Sequence, residues 1–162
     1  MKRPRGRPPR TESPLSRDEM VIAALELLDG EGVDAFTMRA LAERMHVNPM
    51  TIHHHFGGRD GLILAMSEWA YAQVAAPEGG TPAERIRGLL IAYHAQVLRQ
   101  PGLTLLIFAR PTVFPEQARR ITEEISSLLK ETGLPDDKVR LWLEILVDFT
   151  HGAALAIAMQ GR

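Results

Sequence analysis

The chain has 162 residues, enough for a compact core but short for two independent domains. It contains no cysteine, which excludes disulfides and thiolate metal sites. Its N-terminus is basic and proline-rich without the apolar h-region of a signal peptide, so a reducing cytoplasm is the expected compartment.

The net charge of −1 conceals an asymmetry. The first ten residues hold Lys2, Arg3, Arg5, Arg7 and Arg10 and no acid, the charge pattern of a nucleic-acid arm. Within it, Arg5-Gly6-Arg7-Pro8 has the form of an AT-hook core. Arginines flanking a glycine suit a narrow A·T-rich minor groove, while proline keeps the strand extended. A basic tail making only phosphate contacts fits the same residues equally well. Residues 1–15 are expected to be disordered without DNA.

Leu, Ala, Ile and Met recur at helical spacing in the segments that follow, and no run alternates with period two, so the fold is expected to be all-α. Ser16-Arg17-Asp18-Glu19 is a capping-box pattern opening a first helix with Val21, Ala24, Leu25 and Leu28 as its apolar stripe; Gly30 and Gly32 are expected to stop it. Thr37 then caps a short helix whose apolar face is Met38, Leu41, Ala42 and Met45. A turn falls at His46-Val47, where one residue needs a left-handed backbone; glycine is cheapest there, and histidine is among the few other types enriched in that region. Asn48 and Pro49 restart the chain as a helix, as N-cap and first helical residue. This is a helix, a tight turn and a second helix with an exposed start, the arrangement that presents side chains to base edges in a major groove.

Gly57-Gly58 breaks the chain before a fourth helix with the stripe Leu62, Ala65, Met66 and Trp69. Residues 76–80 form the clearest linker. Thr81-Pro82-Ala83-Glu84 repeats the cap, proline and glutamate of a helix start. Ile86, Leu89, Leu90, Tyr93 and Val97 give the fifth helix its buried face, to Gln100-Pro101. Leu103 to Phe108 reads as a short apolar helix closed before Pro111. A seventh runs from about Pro115 to Thr132, with Ala118, Ile121, Ile125, Leu128 and Leu129 inward and Gly133 as its stop. The last segment, Pro135 to Met159, leaves almost no polar face, and a helix apolar all round is expected to be buried on all sides. Glu144, Asp148 and His151 count against a membrane span, since an aspartate at mid-bilayer costs about 3 kcal/mol. Burial between its own core and a second subunit fits better.

Thr37, Leu41, Ala42, Met45, His46, Val47, Asn48, Thr51, Ile52, His53, His55, Phe56, Arg59 and Leu62 together resemble the DNA-binding signature of the TetR family of bacterial regulators. That pattern runs Thr-x-x-x-Leu-Ala-x-x-Leu-Gly-Val-Ser-x-x-Thr-Leu-Tyr-x-His-Phe-x-x-Lys-x-x-Leu, and the likeness extends over residues 37–62. Most of these positions match or are conservative changes, and two departures matter: His46 stands for the turn glycine and His53 for the tyrosine, a phosphate contact in the family. An imidazole also donates to a phosphate, with a charge that depends on pH, so operator affinity is expected to rise at mildly acidic pH. The resemblance implies a homodimeric repressor whose last two long helices pack against their symmetry mates. It also implies a phosphate contact from Arg59, where the family has lysine. The chain ends at Arg162, where the family usually continues into another long helix; it is either a short member or lacks that segment.

The expected organisation is an arm over residues 1–15, a helix-turn-helix unit with its connecting helix over 16–75, and a helical ligand-binding and dimerisation unit over 81–162. Arg5, Arg7, Thr37, Asn48, Pro49, Met50, Thr51, His53, His54 and Arg59 are the expected contacts to double-stranded DNA. Met50 and His54 would meet base edges, Pro49 thymine methyls, and Thr37, Thr51, His53 and Arg59 phosphates. His55 and Phe56 are expected to pack inward. The run His53-His54-His55 does not read as a metal site, because consecutive helical side chains point about 100° apart. Trp69, Tyr93, His94, Phe108, Trp142, Phe149 and His151 are candidate walls for a small apolar effector, with Asp148 and His151 as a polar pair on one helical face; a filled core is the bland alternative. No nucleophile or cofactor motif points to an enzyme. The alternatives are an architectural A·T-preferring DNA binder without an effector, and a helical carrier or enzyme using the cavity.

Overall fold

The computed structural model describes residues 15–110 and 113–160; Arg5, Arg7 and the rest of the arm lie outside the described residues. Among the described residues there are eight helices and no strand: α1 Arg17–Ala35, α2 Met38–Arg44, α3 Pro49–Phe56, α4 Arg59–Tyr71, α5 Pro82–Arg99, α6 Pro101–Phe108, α7 Glu116–Glu131 and α8 Asp136–Gln160. The all-α expectation holds.

Local chemistry sets most of the boundaries. The Ser16 hydroxyl accepts from Glu19 N at 3.1 Å while the Glu19 carboxylate accepts from Ser16 N at 2.7 Å, and Thr81 and Glu84 repeat this reciprocal cap on α5. Gly133 follows α7 with φ 86°, the left-handed stop that glycine permits. In α1 the expectation needs correction: helical structure runs through Gly30, and only Gly32, with φ 82° and ψ 177°, kinks the chain. Glycine in a helix interior costs about 1 kcal/mol relative to alanine but does not by itself end a helix.

Helices α1 to α3 pack around Met20, Ala24, Leu28, Phe36, Leu41 and Ile52, all essentially inaccessible. In the other half, α5, α7 and α8 pack mutually, and α6 lies against α1. The approach of α6 to α1 uses a small residue: a Cβ on Gly102 would stand 3.2 Å from Leu28 Cγ. Helix α4 touches both halves, contacting α1 and α3 on one side and α5, α6 and α7 on the other. Its inward positions are Leu62, Ile63, Met66, Ser67, Ala70 and Tyr71. Trp69, expected in that stripe, points outward and is 50% exposed, because the neighbouring Ala70 and Tyr71 take the buried face.

The C-terminal end of α4 is fastened to α7. Glu68 Oε1 accepts from Glu116 N at 2.8 Å, filling the place of a side-chain cap at the start of α7. From within α7, Arg120 donates to the carbonyl oxygens of Tyr71 and Val74, and Glu124 accepts from Ala76 N at 3.0 Å.

Helix α8 departs from the expectation of burial on all sides. Within one chain only Val139, Thr150 and Ala154 are buried, while Leu141, Trp142, Ile145, Phe149, Ile157 and Met159 are exposed. The remaining helices cover one side of it; α5 and α7 are its principal neighbours. By length and composition alone, α8 is long and apolar enough to cross a membrane.

Candidate nucleic-acid interface and ligand cavity

The segment from Thr37 to Phe56 forms two helices joined by a tight turn. Thr37 Oγ1 accepts from Ala40 N at 3.0 Å and caps α2; Asn48 Oδ1 accepts from Met50 N at 2.9 Å and caps α3. Between them His46 takes φ 55°, the left-handed conformation expected at this turn, and Val47 N donates to Ala42 O at 3.0 Å. Only Ile52 and Phe56 of α3 are buried, four residues apart on one face.

That anchorage decides what α3 offers to solvent. Pro49, Met50, His53 and His54 are exposed, Met50 by 63%, with Thr51 half-buried and Thr37 and Asn48 exposed beside them. His55 was expected to pack inward with Phe56 but is exposed, because the buried face is already set by Ile52 and Phe56. Arg59 is drawn partly inside. Its guanidinium lies 5.7 Å from the Phe36 ring centre, and its Nε is buried without a hydrogen-bond partner among the described residues. Burial, then the nearby Arg110 charge, lowers its pKa, with Asp60 opposing.

One positioning residue escaped the sequence reading. A Cβ on Gly61 would stand 1.8 Å from the carbonyl oxygen of Phe56, so the corner between α3 and α4 closes only around a glycine. Its one signal was a glycine in the first turn of a helix with no evident stop.

A cavity of about 380 Å³ opens among α4, α5, α6, α7 and α8. Tyr71, Tyr93, His151 and Phe108 line it as a chain of rings, each roughly perpendicular to the next, with centres 5.8, 5.1 and 4.8 Å apart. Two polar pairs are satisfied internally: Tyr71 Oη with Thr104 Oγ1 at 3.1 Å, and Tyr93 Oη with His151 Nε2. Burial, then the neighbouring Tyr71, pushes the Tyr93 phenol well up; burial lowers His151, against the opposing Asp148 carboxylate.

Of the candidate wall residues, the structure brings together Tyr93, Phe108 and His151, with Asp148 at the same wall. Trp69 lies instead in a second groove with Ala92, Gln96 and Arg99, and His94 and Phe149 in a third with Ile86 and Leu146. Trp142 sits on the open face of α8. Trp69, His94 and Phe149 are turned outward because an adjacent residue, Ala70, Tyr93 or Thr150, takes the buried position. Tyr71, Thr104, Arg110 and Thr122 complete the polar part of the lining and were not anticipated. Tyr71 ends the α4 pattern one turn after Ser67, a spacing that placed it on the inward face.

Residues 21–66 match the family model described as bacterial regulatory proteins, tetR family. An HTH-type transcriptional regulator of Saccharopolyspora erythraea is 30% identical over 128 residues, covering 76% of this chain and 53% of that protein. The tetracycline repressor protein class E of Escherichia coli is 27% identical over 146 residues, covering 87% of this chain and 68% of the repressor. The chain spans about half the length of several curated relatives it matches. ActR of Streptomyces coelicolor, solved both free and with actinorhodin, superposes with a TM-score of 0.77. In its free form it is 28% identical, over 91% of this chain and 71% of ActR. With the capped helix pair, the matched N-terminal segment and a shared fold across most of the described helices, the chain belongs to the TetR family of bacterial regulatory proteins.

Proposed function

We propose that this chain is a cytoplasmic, effector-responsive transcriptional repressor that reads a palindromic operator as a homodimer, and that it is not an enzyme. The observation that carries the reading is the exposed start of α3, where Pro49, Met50, His53 and His54 face solvent on a helix held from behind by Ile52 and Phe56. Met50 and His54 would meet base edges, Pro49 a thymine methyl, and Thr37, Asn48, Thr51 and His53 the backbone. Arg59 would reach a phosphate by leaving the Phe36 ring. The arm carrying Arg5 and Arg7 would add contacts in a flanking minor groove.

Residues 16–75 would form the DNA-reading unit and 81–162 the effector and dimerisation unit. The open α8 stripe of Leu141, Ile145 and Phe149, flanked by Trp142, supports pairing with a second copy, which would bury this apolar surface. The cavity would bind the effector, as ActR is solved with actinorhodin. Helix α4 touches both halves, so an effector favouring a displaced α4 would separate the two α3 helices from half-sites one helical turn apart.

Selection of bound duplexes from a random library tests the reading. A palindrome recovered by the wild type and lost by the Met50→Ala/His54→Ala double variant supports it. An A·T-rich preference without a palindrome, vanishing when residues 1–12 are removed, would instead identify an architectural binder.

A further inference from the structure

We infer that the cavity takes an organic cation with an apolar, ring-bearing body, its charge held at the mouth beside Asp148. This rests on reading the cavity as the effector site and adds the chemical class of the effector.

The depth of the cavity dictates the body. Its walls are Tyr71, Tyr93, Val113, Ile121 and Val147 with the His151 and Phe108 rings, and the Tyr71 and Tyr93 hydroxyls are already paired, with Thr104 and with the His151 imidazole. An apolar ring system fills such a space without leaving a wall group unpaired, whereas a strongly polar one would trade water for few partners.

The charge at the mouth follows from an inventory. Arg110 and Asp148 are the charged side chains of the lining. Arg110 is matched, its Nε donating to Asp60 Oδ1 at 2.8 Å. Asp148 is exposed and has no ion-pair partner among the described residues. His151, one helical turn away, does not cancel it, because burial keeps the imidazole neutral. Asp148 therefore presents to this wall a negative charge that no ion pair among the described residues occupies. Phe108 and Phe114 stand exposed at the same opening, where ring faces attract a cation further. An ammonium head placed there stays hydrated on one side and avoids the cost of deep burial. A carboxylate would be repelled by Asp148 and would have to draw Arg110 from Asp60.

Calorimetric titration of the full chain with three probes sharing one two-ring body tests this: 1-naphthylmethylammonium, 1-naphthylmethanol and 1-naphthoate. At low salt the ammonium is expected to bind about five- to tenfold more tightly than the alcohol, with the carboxylate weakest. Asp148→Asn is expected to bring the ammonium down to the level of the alcohol. An alcohol that binds as tightly as the ammonium, or a carboxylate that binds more tightly, overturns the charge class while leaving the cavity as a binding site. Binding of none of the three, or binding unaffected by filling the cavity with Ala118→Phe in a protein that still melts cooperatively, overturns the effector-site reading itself.

Discussion

Arg110, beyond the end of α6, donates through Nε to Asp60 in the first turn of α4 at 2.8 Å, joining the cavity wall to the helix that follows α3. The far end of α4 is held by Glu68 and Arg120, so the helix is fastened at both ends to the helices around the cavity. With side chains 23% and 58% exposed, the pair is partly screened. A double-mutant cycle with Arg110→Gln and Asp60→Asn, followed by urea unfolding, should give a coupling of about 0.5–1 kcal/mol. A coupling of zero would mean that the pair does not hold α4.

Gly61→Ala should destabilise the protein by about 1–3 kcal/mol, because the new methyl meets the Phe56 carbonyl and the corner between α3 and α4 must open. Gly30→Ala is the contrast: its Cβ meets nothing within 4 Å. In that helical position it should stabilise by about 0.5–1 kcal/mol. Urea midpoints of the two variants check both signs, and loss of DNA binding should accompany only the first.

These glycines mark the limit of what the residue pattern discloses. Caps, apolar spacing and the left-handed turn at His46 are local, and each is legible in the residues alone. Gly61 was not, since its constraint is the carbonyl of a residue in the preceding helix. The cavity was half legible for a related reason. Periodicity identifies a helix's buried side, but choosing between Tyr93 and His94, or Phe149 and Thr150, requires the rotation of that helix against its neighbours. Helix α8 was the converse case: its composition announced burial, and the single chain supplies only one side of it.

Stability should fall on mild acidification through His151. The unfolded chain takes up a proton as pH falls through about 6.5, while the folded protein, with this imidazole buried and its pKa lowered, resists until lower pH. The contribution is therefore present above the unfolded value and is lost as pH falls towards the depressed folded one. Between about pH 7.5 and about pH 5.5, His151→Gln should lose less in melting temperature than the wild type. Equal losses would assign the acid sensitivity to other groups.

Phe149 is 73% exposed on the open face of α8. Phe149→Glu places a charge where a second copy would bury apolar surface, and on the proposed pairing sedimentation should show a dimer for the wild type and a monomer for the variant. A variant that still sediments as a dimer would put the interface elsewhere.

The most direct test of the account is the spacing of half-sites. Fluorescence-anisotropy titration would compare a selected palindromic duplex with the same half-sites moved apart by about half a helical turn, which puts them on opposite faces of the DNA. Two α3 helices fixed in one dimer predict tight binding to the first and only salt-sensitive, non-specific binding to the second. Equal affinity for both would contradict a dimer reading two half-sites from one face.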